Sequence, residues 1–118
     1  MNTSRYATFL FTISILLLTF EPARISAQDL DTVSIAGVVT DEQSAVIVGA
    51  EVVATFVKTG ATRRTLTDDS GSYRLIQLEP GSYSLTISWG GLATYERKNI
   101  QTIAAQNLKI DVTLNVMK

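Results

Sequence analysis

The chain has 118 residues, 46% apolar and 18% charged, with no Cys, no His and a formal charge of -1 at pH 7. That length fits one compact domain, and the missing imidazole and thiol exclude Ser-His-Asp and Cys-His nucleophilic catalysis, zinc sites built on His or Cys, His-ligated haem and every disulfide. Near-neutral charge argues against nucleic-acid binding, which needs clustered Lys and Arg to displace counterions from phosphates.

Residues 1–27 read as a cleavable signal peptide. Arg5 and the amino terminus precede the apolar run Phe9 to Phe20, which Glu21-Pro22 then breaks. The run is twelve residues long, whereas a helix needs about 20 to cross a bilayer core of about 30 Å, so no retained membrane span is expected. The same length disfavours a buried or anchoring N-terminal helix. Small Ala27 makes the Ala27/Gln28 bond the expected cleavage site, and the absence of Cys removes a lipoprotein anchor. The remaining residues 28–118 carry eight basic and ten acidic side chains, a charge of -2. They are expected to form one mildly acidic, soluble, exported domain.

From Val33 onward, short runs of β-branched and aromatic residues alternate with polar ones, and Gly, Pro, Asp and Ser punctuate them. Strands are predicted over Val33 to Thr40, Ala50 to Lys58, Ala61 to Thr67, Ser72 to Leu78, Gly81 to Ser88 and Thr94 to Ile103, with a last run through Leu108 to Asn115. In Gly81 to Ser88, Tyr83, Leu85 and Ile87 share one face while Ser82, Ser84, Thr86 and Ser88 share the other. The last run repeats this, with Leu108, Ile110, Val112 and Leu114 inward. About seven short strands of this kind suit two packed sheets, an all-β sandwich of antiparallel strands. The turns agree: Lys58-Thr59-Gly60 links two strands tightly, and Asp68-Asp69-Ser70-Gly71 combines side-chain caps with a residue tolerant of positive φ. In Glu79-Pro80-Gly81, Pro80 and Gly81 suit the second and third positions of a type II turn.

The segments Ile35-Ala36-Gly37-Val38-Val39-Thr40-Asp41, Gly49-Ala50-Glu51-Val52, Thr59-Gly60, Thr67-Asp68-Asp69-Ser70-Gly71-Ser72-Tyr73 and Leu78-Glu79-Pro80-Gly81-Ser82-Tyr83, in this order and spacing, closely resemble the carboxypeptidase regulatory-like domain. The resemblance spans nearly all of the chain after the signal peptide. Two positions depart from the family pattern: Ser44 stands where Gly is usual and Val48 where Pro is usual. The resemblance implies a transthyretin-like or prealbumin-like β-sandwich with no catalytic activity of its own, related in architecture to starch-binding domains. It also implies bacterial export, since such domains resemble the N-terminal periplasmic extension of TonB-dependent outer-membrane receptors. The sequence ends at Lys118, just past the last predicted strand, so a stand-alone small protein and a piece of such a receptor both remain open.

Candidate sites are few. Asp41-Glu42 and Asp68-Asp69-Ser70-Gly71 offer oxygens to Ca²⁺, but neither has EF-hand spacing. Capping of the turns by Asp68 and Asp69 through backbone amides is the expected role, and no metal or cofactor is assigned. Trp89, followed by Gly90-Gly91 and Tyr95, has two readings. Either Trp89 folds over the open end of the sandwich and closes the core, or Trp89 and Tyr95 form a surface on which a sugar ring stacks. Arg63-Arg64 with Arg74, and Arg97-Lys98, read as solvated faces, and no Ser-x-x-Lys motif or facing pair of carboxylates is evident. The expectation is therefore a non-enzymatic exported module acting by contact with a protein partner or an outer-membrane receptor component, for which the unpaired groups of an edge strand are one route. Carbohydrate binding is the alternative.

Overall fold

The computed structural model describes residues 31–117, and the expected signal peptide at 1–27 lies outside them. Among the described residues there is no helix. Eight strands form two sheets: β1 (Val33–Asp41), β2 (Glu51–Phe56), β3 (Thr62–Leu66), β4 (Ser72–Leu78), β5 (Ser82–Ser88), β6 (Tyr95–Gln101), β7 (Asn107–Lys109) and β8 (Val112–Leu114). One sheet has β1 at its centre with β4 on one side and β7 then β8 on the other; the second runs β3-β2-β5-β6. The all-β sandwich read from the sequence is what the chain forms. Burial alternates residue by residue along β1, β2 and β5, because successive side chains leave opposite faces of a strand. Val33, Ile35 and Val39 thereby meet Val52, Ala54, Leu85 and Ile87 between the sheets, all essentially out of water.

The expectation of seven antiparallel strands needs correction in two respects. The last run keeps its predicted alternation, with Ile110, Val112 and Leu114 buried, but it is split into β7 and β8, and both pair with β1 in parallel. The pairing follows from where the chain returns. After β6 it crosses back at the end where β1 begins, where Ser34 N–H donates to the Gln106 carbonyl and Ala105 N–H to that of Asp31. Entering beside the start of β1, it can only run the same way.

The split has a local cause. At Ile110 the amide still bonds to the Ala36 carbonyl at 2.8 Å, but the Ile110 carbonyl turns inward over Gly37. A Cβ on Gly37 would lie 1.9 Å from that oxygen, so only glycine fits there. The buried Tyr73 hydroxyl donates to the same oxygen at 2.5 Å, and an Asp111 carboxylate oxygen accepts the Val38 amide that the interrupted ladder leaves behind.

Two β-bulges restore the inward face elsewhere. Ser34 is opposed by Ile76 and Gln77, and Ser84 by Lys98 and Asn99, with Gln77 and Asn99 at φ 56 and 59. Each extra residue resets the alternation so that Leu78 and Ile100 point into the core. The β4–β5 connection is a second correction. Gly81 has φ 149, not the roughly +80° of a type II turn. Glycine is needed there because the Phe56 ring would lie 2.5 Å from an added Cβ. Phe56 in turn packs on Tyr83 with ring centroids 5.1 Å apart.

Candidate functional site

Viewed along β1, the loops β1–β2, β3–β4 and β5–β6 and the segment after β8 all gather at one end of the sandwich. Here the chain makes its most unusual surface, and each component has a local origin. In the β1–β2 loop, an Asp41 carboxylate oxygen accepts the amides of Gln43 and Ala45 at 2.9 and 3.0 Å. The chain thereby turns through Ser44, which is left-handed at φ 65. Ile47 is then drawn inward: its amide donates to the Val39 carbonyl, and its own carbonyl accepts from the buried Thr67 hydroxyl at 2.6 Å. The same hydroxyl accepts the Ala50 amide at 2.8 Å. With Ile47 anchored, its neighbours Val46 and Val48 are left on the outside.

The β3–β4 turn is built in the same way, with Asp68 accepting the amides of Ser70 and Ser72. Asp41 and Asp68 thus do the capping work expected of a turn aspartate; Asp69 is exposed and makes no such bond. Among the described residues, no group of three or more His, Cys, Asp or Glu is arranged to hold a metal ion.

Trp89 corrects one expectation. It does not close the core: 45% of it is exposed, and its indole N–H donates to the Val48 carbonyl at 3.1 Å. Gly90 and Gly91 continue into open space, and Leu92 pairs with Val116 beyond them. Tyr95 follows a different course. It pairs with Ile87 and packs, half-buried, against the core. It does not line the shallow hollow of about 530 Å³ bordered by Glu51, Leu66, Trp89, Leu92 and Met117. Trp89 and Tyr95 are therefore not assembled into one stacking platform.

The members of this surface that sequence reasoning missed are Val46, Val48, Leu66, Val116 and Met117. Among the described residues, nine large apolar side chains are left in water, and six of them (Val46, Val48, Leu66, Trp89, Val116 and Met117) are at this end. A gathered apolar surface marks a contact site, whereas the same side chains scattered singly would not. The run Val46-Ile47-Val48 inside a turn region was the one signal of it in the sequence.

A larger depression, about 800 Å³, lies over the outer face of the β1 sheet between Arg74 and Lys109, reaching Leu66 at its border. It is open, and small side chains such as Ser34 and Ala36 line it together with Asp68, Arg74 and Lys109. The perturbed titratable groups serve structure. Burial, reinforced by the Asp111 charge, pushes the Tyr73 phenol well above its ordinary range. Burial, then the Glu79 charge, raises that of Tyr83, which donates to the Glu79 carbonyl.

The sheet edges are guarded. Arg63 reaches across from β3 to the Ile76 and Gln77 carbonyls of β4. Edge strand β6 carries Glu96, Arg97 and Lys98 beside its bulge, and β7 and β8 are three residues each. Charge, bulges and brevity are the usual means of blocking strand addition.

These features define a small β-sandwich module whose distinctive chemistry is an apolar loop end. A family model, that of the carboxypeptidase regulatory-like domain, matches residues 34–115, and the chain belongs to that family. Among curated proteins none matches. Solved structures share the fold at low identity. Catechol 1,2-dioxygenase of Acinetobacter radioresistens is 15% identical with a TM-score of 0.59, covering 75% of this chain and 53% of the dioxygenase. The TIE protein of Bacillus anthracis is 16% identical with a TM-score of 0.58, covering 74% of this chain and 17% of its own. A protein of Bacteroides uniformis named for carbohydrate binding is 19% identical with a TM-score of 0.54, covering 70% and 40%. The chain thus spans about half, or less, of these relatives, and identities this low speak for the fold alone.

Proposed function

We propose that this is a non-catalytic, exported interaction module that works by contact, with the loop end around Trp89 as its contact surface. The observation that carries the reading is the gathering of Val48, Leu66, Trp89, Val116 and Met117 in water at one end, while the sheet edges are guarded. Trp89 is fixed by its indole hydrogen bond with its ring in water, the arrangement of an aromatic anchor at a protein interface. The resemblance to extensions of TonB-dependent receptors makes an outer-membrane receptor system the first place to look for the partner. Photo-crosslinking side chains placed at Val48, and at Val57 on the opposite end as a control, test the reading in the producing cells. Discrete protein adducts from position 48 and none from 57 are expected; equal adducts, or none from 48, contradict it.

Carbohydrate recognition is a second reading, favoured by the exposed Trp89 ring and by the name of the Bacteroides relative. It requires a sugar to stack on Trp89 without help from Tyr95. Calorimetry across a panel of oligosaccharides decides it, and flat isotherms throughout end it.

A further inference from the structure

The charge of the loop end narrows the chemistry of what it meets. Its loops carry Asp41, Glu42, Asp68 and Asp69, and among their described residues no Lys or Arg. Three of these carboxylates are held in position: Asp41 and Asp68 by the amides they accept, and Glu42 by the Val116 amide at 3.2 Å. Arg64, on the strand leading to this end, is paired with Glu51 at 3.1 Å. The result is an apolar floor at a loop end whose charged loop residues, among those described, are all carboxylates, with Glu42 held against Val116 of that floor; these carboxylates form its rim.

Resting on the contact reading above, we propose that the occupant is a cationic polypeptide segment carrying a large apolar side chain. The apolar group covers Trp89, Leu66 and Met117, while Lys or Arg to either side meets the rim carboxylates. Complementary charge of this kind sets partner choice and encounter rate, and the apolar floor supplies the burial. The alternatives fit less well. A second copy of the chain brings one acidic rim against another, and an anionic lipid surface meets the same repulsion. A neutral glycan gains hydrogen bonds from the carboxylates but no charge attraction.

Trp89 is the only tryptophan in the sequence, so its fluorescence reports this surface alone. The purified protein is titrated at low salt with three short Trp-free peptides: leucines flanked by lysines, the same leucines flanked by glutamates, and serines flanked by the same lysines. The expected result is an emission shift with the lysine-leucine peptide alone, weakening as salt rises. Glu42→Gln combined with Asp69→Asn, both at exposed positions, should weaken that binding about fivefold. Equal responses to the lysine and glutamate peptides overturn the charge preference and leave the contact reading standing. Equal responses to the leucine and serine peptides overturn the need for an apolar group. Silence with all three overturns the proposal, and the crosslinks from position 48 then decide separately whether this end meets protein at all. Emission that responds to protein concentration, phosphatidylcholine vesicles or maltooligosaccharides, but not to the lysine-leucine peptide, names another occupant and also overturns it.

Discussion

Tyr73 and Trp89 are both aromatic side chains beside glycine, each donating its polar hydrogen to a backbone carbonyl, yet 3% of one and 45% of the other is exposed. An inward hydrogen bond does not by itself bury a ring. Tyr73 is buried because its body fills the slot over Gly37 between the sheets, where burial and hydrogen bonding serve the same purpose. Trp89 has a loop on one side and water on the other. The first region holds the fold together, and the second keeps apolar surface wet in a way that folding alone does not favour.

The largest effect should come from the seam. Gly37→Ala sets a methyl carbon 1.9 Å from the Ile110 carbonyl oxygen, and β1 cannot retreat without breaking its pairs on both sides. A loss of about 4 kcal/mol, or failure to fold, is expected in chemical denaturation; a loss under about 1 kcal/mol would break the account of the seam.

Tyr73→Phe keeps the ring and removes the donor, leaving the Ile110 carbonyl without it, and should cost about 1–3 kcal/mol. It also changes the pH profile. The folded-state pKa of Tyr73 lies above the ordinary phenol value of 10.0, burial being the main cause. The stabilisation is therefore fully present below about pH 10 and is lost as pH rises through that value toward the folded pKa. Denaturation midpoints between neutral pH and about pH 11 should fall more steeply for the parent protein than for Tyr73→Phe, with Tyr83 supplying a remaining slope in both. Equal slopes would remove Tyr73 from the seam.

A smaller effect of opposite sign is expected in the loop end. Ser44 occupies the left-handed region at φ 65, where a side chain costs roughly 1–2 kcal/mol and glycine recovers most of that against its greater freedom when unfolded. Ser44→Gly should therefore raise stability by about 0.5–1 kcal/mol in thermal unfolding without altering loop-end binding. A loss of stability would show that the Ser44 side chain contributes something the backbone does not reveal.

Local sequence carried much of this architecture. Alternation marked β5 and the inward set Ile110, Val112 and Leu114, and Ser72–Leu78 coincides with its predicted strand. The departure from the family glycine at Ser44 fell on a backbone that does require positive φ. What was illegible depends on partners distant in the chain. The break between β7 and β8 arises from Gly37 and Tyr73, far earlier in sequence. The bulge at Gln77 carries neither glycine nor any other turn signal, and at Asn99 the one signal, an asparagine tolerant of positive φ, stands alone inside a strand-like run. The candidate site was half legible: Trp89 was visible as a residue, but Leu66, Val48 and Met117 join it only once four separate segments converge.

Trp89 is presented for contact and does not hold the sandwich closed; Trp89→Ala separates the two roles when stability and position-48 crosslinking are measured on the same variant. A loss of no more than about 1–2 kcal/mol, from the indole hydrogen bond and the covered part of the ring, is expected together with loss of the protein adducts. A loss of about 3–5 kcal/mol, the signature of a large side chain removed from a core, with adducts unchanged, would contradict it.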